Sequence, residues 1–270
     1  MRNMEKPTFE SENQNIEQGW EESRYNEVIS RLKANEDLQT IMNSLPGFKE
    51  SFCELDTIDC SDGRVLRGKK IGIAGSGLLL PLEERKKFIE NFRGKIKEVT
   101  THRDCGAAAK KFAEVKKLNP ESIPAEIETA DEYGTYCGEK LAEDLETRHR
   151  FLEMEQMASE YHNEVAIALD ATGRFDSTNL ENFPPHFVCT GAGLGLSENY
   201  VKSEIEILAG IALGHHGYGD KRFNRDNPLY IIVAAKNYAD SIQWESAAKE
   251  VARKFGDQVA VKVFLSPEQN

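Results

Sequence analysis

The residue types best suited to chemistry sit in two short strings, Cys60-Ser61-Asp62-Gly63-Arg64 and His102-Arg103-Asp104-Cys105-Gly106. Two thiolates and an imidazole are good zinc ligands, and three protein ligands leave a fourth tetrahedral position open, as a catalytic zinc requires. His102 and Cys105 can grip one ion from a single turn, with Cys60 closing the site from a neighbouring strand. Asp62 follows Cys60 by two residues and can point to the open position. Arg64, two further on, can pair with that carboxylate and hold it ionised. Each of the three ligands lies beside polar, turn-forming sequence, whereas Cys53, Cys137 and Cys189 read as small buried hydrophobes.

Each string follows a short apolar run, Phe52–Ile58 and Ile96–Thr101, so each is expected at the carboxyl end of a strand, where open α/β sheets place their sites. Further strands are expected at Lys70–Ala74, Glu164–Leu169, His186–Cys189, Leu229–Ala235 and over 258–265. Between them, helical periodicity covers 81–92, 107–117, 197–213, 241–255 and a long charged stretch from Ala130 to Tyr161. The earlier segment 25–45 has helical spacing with a break near Asn35, and Pro46–Gly47 stops it. Strands alternating with helices imply an α/β fold, with a mostly parallel central sheet flanked by helices and a C-terminal βαβαβ extension. The expected organisation is a polar arm over 1–24, a zinc domain over 25–182 and an α/β extension or small domain over 183–270. Pro184–Pro185 marks the boundary, and no tandem repeat is visible.

Composition narrows the classes. The 270 residues carry 34 Lys+Arg against 46 Asp+Glu, a formal charge of −12. A chain this acidic has no general electrostatic attraction for phosphate backbones or anionic membranes, so no nucleic acid and no membrane partner is expected. No apolar stretch approaches the ~20 residues of a membrane-spanning helix, and the N-terminus lacks the apolar core of a secretory signal. Five cysteines, an odd number scattered over the chain, favour a reducing, cytoplasmic setting over a disulfide framework.

Taken together and in this order, the two strings resemble the signature of the β-class carbonic anhydrases, Cys-x-Asp-x-Arg followed by His-x-x-Cys and Gly. Ile71–Gly77 and the run EVAIALDATGRF also resemble parts of that family, so the resemblance covers about 25–176. It implies a β-carbonic-anhydrase-like fold and reversible hydration of carbon dioxide to bicarbonate by a zinc-bound hydroxide. Cys60, His102 and Cys105 would hold Zn2+, and Asp62 and Arg64 would act as the catalytic dyad. In a closed variant of the site Asp62 would itself take the fourth position. A homodimer or higher homo-oligomer is implied too, with the arm around Trp20 as a clasp. The chain departs from the family in the 42-residue separation of Cys60 and His102, and in a glycine loop reduced to Ala74-Gly75-Ser76-Gly77.

The readings beside it are a COS or CS2 hydrolase on the same zinc, and a non-catalytic structural or sensory zinc protein. His215 and His216 are candidate proton shuttles, since imidazole titrates near neutrality. Arg64 and Arg103 are the local cations that could attract an anion. His186 and Cys189 repeat the His-x-x-Cys spacing but lie three apart in an apolar strand, which turns them to opposite faces. Gly191, Gly193 and Gly195 precede a helix, yet their spacing matches neither nucleotide-binding fingerprint.

Overall fold

A computed structural model describes residues 9–65, 68–156, 162–214, 217–219 and 221–267. The chain opens with three helices, α1 (Phe9–Arg24), α2 (Glu27–Lys33) and α3 (Leu38–Ser44). Asn26 and Asp37 cap α2 and α3 by accepting from backbone N–H groups of their first turns. Asn35 takes a positive φ of 59° and makes the expected break between them. The segment expected as a polar arm is different: over 9–24 it is helical, and Trp20 is buried. Its indole packs edge-on against Tyr218 and Phe223, with centroids 5.0 and 5.2 Å away. Trp20, with Ile16 packed against the same core and Ser23 hydrogen-bonded to Tyr218, docks the helix on its own chain.

Among the described residues, eight strands follow in two all-parallel sheets. β1 (Thr57–Asp59), β2 (Lys70–Gly72), β3 (Glu98–His102) and β4 (Arg148–Leu152) form the first, in the order β2-β1-β3-β4. β5 (Ala166–Asp170), β6 (His186–Cys189), β7 (Leu229–Ala235) and β8 (Val259–Leu265) form the second, in the order β6-β5-β7-β8. The crossovers carry α4 (Leu82–Phe92), α5 (Gly106–Leu118), α6 (Ala130–Asp144), α7 (Glu198–Leu213) and α8 (Tyr238–Ala252). The α/β class and the parallel strands agree with the sequence reading, and the C-terminal strands form a second sheet. No described helix is long and apolar enough to cross a membrane.

The division between sheets also lies elsewhere. β5 pairs with both β6 and β7, so Pro184–Pro185 falls inside the second sheet and marks only the turn into β6. The expected long helix from Ala130 to Tyr161 stops at Asp144, and Glu146, with φ 59°, turns the chain into β4. The sequence of β4, RHRFL, reads as a charged helical face because it is an edge strand whose alternate side chains are solvated. Arg148 of that strand reaches the buried Glu98 at 2.8 Å.

His186 is a core residue, as its strand context suggests. Its Nδ1 lies 2.7 Å from Pro184 O and its Nε2 2.8 Å from Ser177 Oγ. Burial pulls its pKa down to about 4 from an ordinary 6.5. Between those values the unfolded chain binds a proton that the folded chain refuses, so this residue makes stability fall as pH drops through that window. The loss is on the order of 3 kcal/mol. Urea unfolding at pH 7.5 and pH 4 should show it, and His186→Gln should remove that part of the slope.

Candidate metal centre

Cys60 follows the last residue of β1, His102 is the last residue of β3, and Cys105 is the N-cap of α5. Because β1 and β3 are paired neighbours, their carboxyl ends bring the three side chains together. Their ligand atoms lie within 4.8 Å of one another, and all three residues are buried. The two sulfurs are 3.9 Å apart in free cysteines. Two zinc–sulfur bonds of about 2.3 Å at a tetrahedral angle would separate them by about 3.8 Å. His102 Nδ1 is 2.9 Å from Arg103 O, which turns Nε2 inward. That Nε2 is buried with no hydrogen-bond partner, a cost that a metal bond would remove. Donor chemistry, spacing and the unpartnered nitrogen therefore fit a metal ion.

The electrostatics point the same way. A hydrogen bond from Cys105 draws the Cys60 pKa well below the usual thiol range, and the same bond, aided by burial, pushes Cys105 well above it. Gly75 N donates to Cys60 Sγ at 3.3 Å, from a loop in which Gly75 and Ser76 both take positive φ. Cys105 sits at the positive end of a 13-residue helix, a position that favours a thiolate.

Asp62 and Arg64 form the expected pair. Arg64 Nε donates to Oδ1 at 3.0 Å, Nη2 donates to Oδ2 at 2.7 Å, and the Arg64 backbone N–H adds a bond to Oδ1 at 2.9 Å. Burial raises the Asp62 pKa, but these donors and the nearby histidines outweigh it and hold the carboxyl well below its usual range. Asp62 Oδ2 is 3.7 Å from His102 Nε2, so the carboxylate borders the ligand triangle. Beneath this turn the buried Lys70 donates to Asp62 O at 2.8 Å and Val65 O at 3.1 Å.

The site opens into a cavity of about 320 Å³, whose lining includes the polar Cys60, Asp62, His102 and His162 and the apolar Phe187, Ile207, Leu208 and Ile211. Lys110 also reaches it. Arg103 does not: it lies outside and donates to Glu153 at 2.7 Å. His215 and His216 lie outside the described residues.

Comparison with protein-family models, with curated proteins and with solved structures finds no match. The site must therefore be understood from its own geometry.

Two residues absent from the sequence reading complete it. His162 Nδ1 lies 3.2 Å from Glu164 Oε2 and 3.8 Å from Asp62 Oδ1. Asp62, His162 and Glu164 could themselves surround a cation. Arg64 already spans both oxygens of Asp62, however, and Glu164 Oε1 accepts from Gly63 N at 3.0 Å. These carboxylates are matched by donors, which leaves the triangle less suited to a metal than the thiol site. The local signal for the pair was His-x-Glu, whose period of two places both side chains on one face of an extended segment.

The purified chain should carry one zinc equivalent, and zinc held at about 100 times its Kd should stabilise folding by roughly 2.7 kcal/mol. Cys60→Ser should lose both the metal and the stabilisation in a thermal melt with and without added zinc. An equal zinc-dependent rise in the variant would remove Cys60 from the ligand set.

Proposed function

We propose that this chain hydrates carbon dioxide reversibly to bicarbonate at a zinc ion held by Cys60, His102 and Cys105. The observation that carries the reading is the Asp62–Arg64 pair at the edge of the ligand triangle. A purely structural zinc is normally closed by a fourth protein ligand, whereas here the nearest additional group is a carboxylate held back by a guanidinium. Zinc with an open fourth position supplies a water whose pKa falls from ~16 towards 7.

The chain's own groups then have defined tasks. Arg64 grips both oxygens of Asp62, which keeps the carboxylate ionised and away from the open position. So held, Asp62 can only accept hydrogen bonds, and it orients a donor in the cavity relative to the substrate carbon. Phe187, Ile207, Leu208 and Ile211 offer a small uncharged molecule an apolar wall. Lys110 provides a local cation for the anionic product, which the chain's net charge of −12 does not attract.

Hydration of one carbon dioxide by one water gives bicarbonate and one proton, and that proton must leave a buried cavity. His162 is the group placed to take it. Glu164 fixes its Nδ1 as the donor nitrogen, which leaves Nε2 as the base. The role that sequence reading gave to His215 and His216 is thus proposed for His162. The same apolar wall would admit COS or CS2, so both belong in the assay.

Stopped-flow hydration from pH 6 to 9, with zinc content measured on the same samples, tests the function. Asp62→Ala should keep its zinc and lose about 10²-fold in turnover, the upper range for a group acting beside a metal. One bound zinc with no hydration in the wild type would favour the structural or sensory reading. A separate measurement addresses the proton. His162→Ala should slow turnover in dilute buffer and recover in concentrated imidazole, while an equal deficit at every buffer concentration would exclude His162 as the carrier.

A further inference from the structure

The two sheets have one strand order. With β5 to β8 taken as a second set of β1 to β4, β6-β5-β7-β8 repeats β2-β1-β3-β4, and every pairing in both is parallel. The sequence retains traces of the correspondence. β1 ends at Asp59 and continues Cys60-Ser61-Asp62-Gly63-Arg64, while β5 ends at Asp170 and continues Ala171-Thr172-Gly173-Arg174, one residue shorter. After β2 come Gly75-Ser76-Gly77-Leu78, and after β6 come Gly191-Ala192-Gly193-Leu194, each leading to a helix. α8 alone stands where the first half has α5 and α6.

The equivalent edge strands also meet. Thr190 N donates to Gly72 O at 2.9 Å, Gly72 N donates to Thr190 Oγ1 at 3.1 Å, and Val188 N donates to Ser61 O at 2.9 Å. Contact between matching edges is what an approximate two-fold axis produces. Among its described residues the second half nevertheless has no Cys-His-Cys group like that of the first. Ala171 stands at the place of Cys60, and neither cysteine nor histidine occurs from Leu229 to Ser241, which spans the end of β7 and the start of α8.

We infer that the second half is a duplicate of the first that has lost its metal ligands and now completes the surviving site in cis, with Glu204 as a positioning residue. α7 supplies Ile207, Leu208 and Ile211 to the cavity wall, and β6 supplies Phe187. From the same helix the buried Glu204 carboxylate accepts from Ser61 Oγ at 2.7 Å, Ala74 N at 2.6 Å and Cys189 Sγ at 3.1 Å. Ser61 adjoins the ligand Cys60, and Ala74 adjoins Gly75, whose N–H reaches the Cys60 sulfur. One carboxylate from the second half therefore fixes both the backbone that carries the thiolate and the donor that stabilises it. The consequence is one metal per chain and a functional unit that is a monomer. The inference rests on the metal site described above.

Native mass spectrometry of the wild-type chain at low concentration should show monomers with one zinc each. Glu204→Ala should weaken zinc binding by about 10- to 100-fold, as for other residues that orient metal ligands. It should also shift the thiolate-to-cobalt absorption of the cobalt-substituted protein. Glu204→Gln, which keeps a carbonyl acceptor, should restore most of the affinity. Ser61→Ala removes one bond with little loss of volume, so it reports on the same clamp in a folded chain and should move both readouts in the same direction. Zinc found only in dimers overturns the inference. So do Ser61→Ala and folded Glu204→Ala proteins with wild-type affinity and spectrum. A wild type that binds no zinc overturns the metal reading as well, whereas zinc-binding wild type with unaltered variants overturns this inference alone.

Discussion

Cys60, Cys105 and Asp62 crowd three groups capable of negative charge into one buried pocket. Much of the surrounding structure can be understood as compensation. An uncompensated anion out of water costs several kcal/mol, so each must find a donor, a counter-charge or a proton. Arg64 answers Asp62, the Gly75 amide answers Cys60, and the two cysteine sulfurs share a hydrogen bond at 3.9 Å. Lys70, wholly enclosed, ties down the turn between them through two carbonyls. What no protein group answers is the unpartnered Nε2 of His102. A divalent cation could answer it together with both sulfurs, which is why the pocket is suited to hold a metal ion.

The fold delivers this chemistry with little machinery. β1 and β3 are adjacent and parallel, with Ile58 level with Val99, so Cys60, just past the end of β1, lies beside the carboxyl end of β3, where His102 is the last residue and Cys105 follows in the turn. The helix that follows β3 begins at Cys105, so one element both supplies a ligand and directs its dipole at the sulfur. The glycine loop after β2 reaches over the top and can approach closely because its backbone takes left-handed angles. The arrangement has the geometry of an open site: three ligands, a restrained carboxylate at the border and an apolar wall.

Legibility in the sequence followed locality. Cys60, His102 and Cys105 stand out because they lie in two polar, turn-forming strings that each follow a short apolar run, and Asp62 with Arg64 needs only a spacing of two. The break at Asn35 and the core character of His186 and Cys189 were likewise visible in short windows. β4 was not, since the charges of an edge strand mimic those of a solvated helix. Trp20 was misleading because a single aromatic carries no period, and its partners Tyr218 and Phe223 lie some 200 residues away. Glu204 reads as one of several acids on the face of a helix, and only the packing of α7 beside β5 and β6, where it meets Ser61 and Ala74, buries it. The duplicated strand order escaped because little of it survives in sequence beyond an Asp before a Gly-Arg turn and a Gly-x-Gly-Leu loop. Backbone topology outlasts side-chain identity when a copy is released from the work its ligands did.

The metal's coordination shell is where these conclusions meet. Zinc K-edge absorption fine structure on the purified wild-type chain would count the donor atoms directly. Two sulfurs at about 2.3 Å, one imidazole nitrogen and one further light atom at about 2.0 Å are expected, with that light atom exchangeable for a small anion. A shell of three or four sulfurs, or one of nitrogen and oxygen alone, would contradict the open Cys60–His102–Cys105 centre.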